Sequence, residues 1–227
     1  MGIVYINMDI NLQEITHTIQ KMIYPNELLL LFVGGSRQFG YDIETSDYDL
    51  FGIFKGNGLA RNHDMYSLGK FALGHGVEGA LWNLDYLMSG IKDSFYIYVL
   101  IDLINFKPFY MSELGQKMYD NAKLIFDSDF ALSCLETRIN ALKEKEQSYT
   151  KRQALMTSLL YSARNLLTDK KIDFSQEARE IRLGRFGNDI ESWKKFEEKL
   201  EKKVKKLYSK TTIKPDLEKF RKIMTGE

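Results

Sequence analysis

Cysteine, proline and histidine are scarce in this chain: one, three and three among 227 residues. A single cysteine, Cys134, excludes an intrachain disulfide and a cysteine-based metal centre. In its setting, Leu132-Ser133-Cys134-Leu135, it reads as a small packed apolar residue. The histidines, His17, His63 and His75, are scattered along the chain, which argues against a zinc cluster. No run reaches the ~18 apolar residues of a membrane span. Leu28 to Val33 and Phe95 to Phe106 are too short or too interrupted and read as buried elements. No cationic segment followed by an apolar stretch opens the chain, so no secretory signal is expected. These absences fit a reducing cytoplasm. Richness in Lys, Ile, Tyr and Phe beside little Pro is the coding bias of AT-rich genomes, those of phages and low-GC bacteria among them. There are no repeats and no Gly/Pro/Ser-rich linker.

Excess charge of one sign is also missing over the whole chain, where 32 Lys+Arg face 31 Asp+Glu. That balance hides a division. Residues 1–137 hold 9 Lys+Arg against 17 Asp+Glu, whereas residues 138–227 hold 23 against 14. The front is acidic. The rear is basic enough to attract a polyanion or to dock on the front.

What is present is concentrated between Gly34 and Leu50. An apolar run, Leu28 to Val33, enters a Gly34-Gly35-Ser36 turn, and a second run, ending at Phe54, carries Asp47 and Asp49 at its start. Residues i and i+2 of a strand share a face, so the spacing predicts two carboxylates side by side with Tyr48 opposite. Close carboxylates repel unless a cation lies between them, and Mg²⁺ (or Mn²⁺) takes oxygen ligands while leaving positions for phosphate and water. Paired divalent ions suit in-line phosphoryl displacement. Gly34 and Gly35 let backbone N–H groups approach a triphosphate. Ser36 adds a hydroxyl where a helix begins. Gly-Gly-Ser or Asp-x-Asp alone is a common structural fragment; the two together, between apolar strands, form the signal.

Along the rest of the chain, Ile10, Leu12, Ile15, Ile19, Met22 and Ile23 predict a helix over 9–23, capped by Asp9 or Asn11. Pro25-Asn26 breaks it. A short helix is expected over 36–42, a strand within 65–73, and a helix over 81–88. From Ser94 the periodicity does not separate strand from buried helix. Ser112 caps a helix reaching Ala122, and from Asp127 onward the pattern is helical. The expectation is an α+β fold: a small mixed β-sheet core with flanking helices over 1–110, then a helical, basic C-terminal lobe over 111–227. The charge-rich stretch 194–206 reads first as a solvated helix face and second as a nucleic-acid contact.

Gly35-Ser36-Arg37-Gln38-Phe39-Gly40 followed by Ser46-Asp47-Tyr48-Asp49-Leu50-Phe51-Gly52 resembles the DNA polymerase beta-type nucleotidyltransferase superfamily. It is most similar to a branch associated with RNA ligases and RNA repair. Val77-Glu78-Gly79-Ala80-Leu81-Trp82 and a helix running from Lys151 to Arg164 resemble later segments of that branch. The resemblance spans residues 28–175 and departs from the branch at Asp93-Ser94-Phe95-Tyr96 and at Thr157.

It implies a nucleotidyltransferase core, with Asp47, Asp49 and Glu78 as catalytic metal ligands and Glu78 readying an acceptor hydroxyl. Asp64 and Asp85 are rivals for the third place. Gly34, Gly35, Ser36, Arg37, Lys151 and Arg164 are the candidate contacts to a nucleoside triphosphate, with ATP favoured. The implied reaction moves a nucleoside monophosphate to an acceptor hydroxyl on RNA. Adenylylation of a partner protein, or a non-catalytic nucleotide- or RNA-binding module, are the alternatives. Trp82, Phe39 and Tyr41 are read as core residues or base-stacking platforms.

Overall fold

Asn11 starts the first helix. Its Oδ1 accepts from the Gln13 and Glu14 amides at 3.1 and 3.2 Å, satisfying two of the orphan donors of α1, Leu12–Ile23. In this computed structural model the described residues are 11–44, 46–56, 71–74, 76–85, 96–144, 149–168, 172–185 and 190–226. The expected cap at Asp9 and the rival carboxylate Asp64 lie outside them.

The strands are β1 (Glu27–Val33), β2 (Tyr48–Lys55), β3 (Phe71–Gly74), β4 (Val77–Asn83) and β5 (Tyr110–Met111). They form one five-stranded sheet in the order β3-β4-β2-β1-β5. β2 and β4 run parallel, and the other neighbours are antiparallel. The fold is α+β, with a helical C-terminal region.

Alternation along the strands separates two apolar sets. Tyr48, Leu50, Phe54, Val77 and Leu81 pack with Ile19 and Ile23 of α1. Phe32, Ile53 and Trp82 face the other way, into a core shared with the later helices. Those helices are α3 (Tyr96–Asn105), α4 (Glu113–Asp120), α5 (Ser128–Glu144), α6 (Tyr149–Leu166), α7 (Ser175–Arg182), α8 (Ile190–Tyr208) and α9 (Leu217–Thr225). The run that periodicity left ambiguous is the helix α3, with Ile97, Val99, Leu100, Ile101 and Leu103 all buried. Trp82 is a core residue, 8 % exposed.

Two expectations need correction. The helix predicted over 81–88 is absent at its start, since Leu81 to Asn83 complete β4 in register with Gly52 to Phe54. Leu81 and Trp82 bury on opposite faces of the sheet, an alternation a helix could not provide; residues 86–88 lie outside the description. The helix expected over 36–42 is the single turn α2, Gly35–Gln38, stopped by Gly40 with φ +73°. Within 65–73, only 71–73 are described, and they belong to β3. β5 was not foreseen; two residues paired to Leu30 and Leu31 are too few to carry a period.

Ser112 caps α4 as expected, its Oγ accepting from the Gly115 amide at 3.0 Å. Ser112→Ala should therefore lower unfolding stability by about 1 kcal/mol without changing the fold, measured by urea denaturation alongside far-UV circular dichroism.

Candidate active site

The Gly34-Gly35-Ser36 turn and the start of β2 lie at one end of the sheet, because β1 and β2 are antiparallel and Val33 pairs with Leu50. The Gly34 amide donates to the Asp49 carbonyl at 2.7 Å and ties the turn to the strand. Gly35 has φ +60°, and a Cβ there would lie 1.8 Å from Oδ2 of Asp49. The Asp49 carboxylate thus sits directly against the glycine backbone, an approach open only to a residue without a side chain.

β4 brings the third acid. Its parallel register places Glu78 beside Asp49 and Val77 beside Tyr48. Asp49 and Glu78 share the sheet face opposite α1, and both stand at the open end; Glu78 is exposed and Asp49 half-buried. Asp85 lies beyond the far end of β4, seven residues on from Glu78, and is not part of this group.

Asp47 departs from the sequence expectation. β2 begins at Tyr48, so Asp47 precedes the strand and escapes its alternation. Its Oδ1 lies 3.4 Å from where a Cβ on Gly76 would stand, over the turn between β3 and β4. Asp49 leans toward β1 and Asp47 toward β4. Among the described residues no three His, Cys, Asp or Glu side chains are gathered closely enough to hold an ion. The three predicted ligands share one end of the sheet without closing into a cage. The donors are nevertheless the hard oxygens that Mg²⁺ takes. Such ions are held by one or two carboxylates plus substrate phosphates rather than by an all-protein cage, so this donor set fits a metal–nucleotide pair.

Arg37 is engaged by the loop ahead of β2. Its guanidinium donates to the Ser46 carbonyl at 2.7 Å and the Asp47 carbonyl at 3.3 Å, and pairs with Asp42 at 3.1 Å. It stacks 3.8 Å over the ring of Tyr48, a side chain on the face opposite Asp49. Arg37 therefore shapes the loop that presents the acids. Lys151 and Arg164 both lie on α6 but are separated by thirteen residues, about 20 Å of helical rise. They cannot contact one triphosphate together. Lys151 is exposed, while Nη1 of Arg164 is buried without a hydrogen-bond partner among the described residues.

Tyr41 is buried and stacks on Phe39 with centroids 6.2 Å apart; both are core residues. Burial pushes the Tyr41 phenol up, reinforced by Tyr98 and the Asp49 carboxylate, while Arg182 opposes the shift. Asp49, Tyr98 and Arg182 thus converge electrostatically on one hydroxyl. Arg138 of α5 lies over the Tyr98 ring at 5.4 Å. No local motif marks Arg138 or Arg182, which come from helices about ninety and over a hundred residues further along the chain.

Beneath the turn, Nε2 of Gln38 donates to Oδ1 of Asp102 at 2.7 Å, linking α2 to α3. Asp102 is buried beside a cavity of about 10 Å³ lined by Phe32, Phe51, Ile53 and Trp82. Loss of hydration raises its carboxyl to about 7, and the Gln38 hydrogen bond only partly offsets this.

Two outcomes follow from this geometry. Gly35→Ala should displace the Asp49 side chain and cost stability through the positive φ, read as a fall in Tm and as altered chemical shifts around Asp49. For Asp102, the folded chain keeps a proton between about pH 4 and 7 that the unfolded chain has released. Its contribution is thus present at low pH and lost as pH rises through about 7. Asp102→Asn should gain on the wild type in Tm as pH rises from about 4 to about 7 and keep that lead above 7; a Tm difference that does not change with pH would refute the shift. In comparisons with protein-family models and with curated proteins, the chain matches no family and no protein.

Proposed function

We propose that this chain is a divalent-metal-dependent nucleotidyltransferase of the DNA polymerase beta type, transferring a nucleoside monophosphate from an NTP, with ATP favoured, to an acceptor hydroxyl. The observation that carries the reading is the lateral pairing of Asp49 with Glu78, beside a glycine turn that packs against Asp49. A Gly-Ser turn, an Asp-x-Asp segment and a later acid, distant in sequence, meet at one sheet end.

Asp47, Asp49 and the phosphates of the substrate would hold Mg²⁺ or Mn²⁺, which supplies charge neutralisation of the triphosphate when bound. The amides of Gly35 and Ser36 and the Ser36 hydroxyl would bind phosphate oxygens at the start of α2. Glu78, exposed beside Asp49, accepts the proton of the acceptor hydroxyl as its oxygen bonds to the α-phosphorus. The bond from that phosphorus to the β-bridging oxygen breaks, and pyrophosphate leaves. Arg182, which acts on the same Tyr41 hydroxyl as Asp49, would balance part of the charge from the helical side. The residues contribute position and fixed charge rather than covalent chemistry. The acceptor is read as RNA, on account of the basic composition of residues 138–227, which hold 23 Lys+Arg against 14 Asp+Glu.

The test is incubation of the full chain with labelled ATP, CTP, GTP or UTP, Mg²⁺ or Mn²⁺, and total RNA. Label in RNA, with pyrophosphate release, is the expected result. Label in protein would move the acceptor to a polypeptide, and nucleotide binding without turnover would leave a binding module. Asp49→Asn and Glu78→Gln should each reduce transfer at least a hundredfold while leaving Tm nearly unchanged. Transfer at the wild-type rate by Asp49→Asn would refute the assignment.

A further inference from the structure

We infer that the outward face of α8 is a landing strip for single-stranded RNA. This deepens the RNA-acceptor part of the reading above and does not depend on its chemistry. At 100° per residue, Lys195, Lys199, Lys202, Lys203 and Lys206 fall on one arc of about 100°, spread over about 16 Å of helix. All five are exposed, and the arc they define contains no acid; Glu191 and Glu198 fall to one side of it. None of the five is in an ion pair among the described residues, whereas Lys205, outside the arc, bonds Glu201 at 2.9 Å.

A solubilising helix face ordinarily mixes signs. Here 195/199, 199/203 and 202/206 are like-charged pairs one turn apart, a repulsion that Glu191 and Glu198, one turn before Lys195 and Lys202, offset only in part. The opposite face holds it in place. Leu200, Val204 and Tyr208 are buried, and the Tyr208 hydroxyl donates to the Ala163 carbonyl of α6 at 2.8 Å. That anchoring decides the class of partner. A basic amphipathic helix that binds membrane must insert its apolar face, and this one is already packed in the core. A polyanion needs only the cations.

An aromatic ring accompanies the cations. Beside Lys199 and Lys203 lies Phe196, 38 % exposed and stacked on Trp193 with centroids 4.8 Å apart. A fixed aromatic ring next to a cationic track is the pairing that holds unpaired bases by stacking and phosphates by charge.

The experiment is fluorescence anisotropy of the full chain with a labelled oligouridylate, without nucleotide or divalent ion, so that its outcome is separate from that of the transfer assay. Wild type should bind with a slope of log K against log salt of about −3, the value for four to five phosphates on a single strand. The triple variant Lys195→Gln, Lys199→Gln and Lys203→Gln, its fold checked by circular dichroism, should bind more weakly and with a slope shallower by about 2. Phe196→Ala should bind roughly 5- to 150-fold more weakly with the slope unchanged. In the wild type, RNA should shield these lysines from amine acetylation read by mass spectrometry. No binding at low salt, binding unchanged in the triple variant, lysines acetylated equally with and without RNA, or tighter binding to phosphatidylserine vesicles than to RNA would each overturn the inference.

Discussion

The parallel register between β2 and β4 is the constraint on which the site rests. Because strand side chains alternate, a slip of one residue would turn every side chain of β4 to the other face. Glu78 would then enter the apolar layer under α1, and Val77 and Leu81 would leave it. Burying an unpaired carboxylate costs far more than burying an apolar group gains. Tyr48, Leu50, Phe54, Val77 and Leu81, packed with Ile19 and Ile23, therefore fix the pairing of Asp49 with Glu78 from the opposite side of the sheet. The acids are positioned by residues that never touch them.

The loop between the glycine turn and β2 is organised by a second device. Arg37 reaches across it to the Ser46 and Asp47 carbonyls and to Asp42, with its plane over Tyr48. A planar fork of donors can bridge two carbonyls and a carboxylate at once, which an ammonium could not do with the same geometry. The backbone ahead of β2 is thereby held, and Asp47 is directed over Gly76. Gln38 and Asp102 secure the other side of the turn to α3. The turn is bound at both flanks, while the acid-bearing end of the sheet stays accessible.

The division of charge along the chain acquires a spatial meaning in the fold. Acids gather at the sheet end, and arginines of the later helices, Arg138 and Arg182, act on the same cluster of tyrosines. The lysines of α8 form a separate basic face. Two different uses of positive charge are thus built into one helical region: guanidinium groups acting on buried tyrosines, and ammonium groups in water.

Most of the local structure was legible in the sequence, since caps and apolar periods are local physics. Asn11 and Ser112 announce their helices, and the runs into and out of Gly34–Asp49 announce two strands. Failures fall where the deciding contact is distant. Leu81 to Asn83 became strand because β2 offers them a partner, and β5 exists only as an addition to β1. The carbonyls that Arg37 serves carry no signal in the sequence. Arg138, Arg182 and Asp102 carry no motif at all. By itself the sequence determined that a glycine turn and two acids lie at the junction of two strands, because neighbours along a chain cannot separate. Only the tertiary structure decided which later acid joins them and how the carboxylates lean, because strand register and the packing of remote helices depend on contacts made between distant parts of the chain.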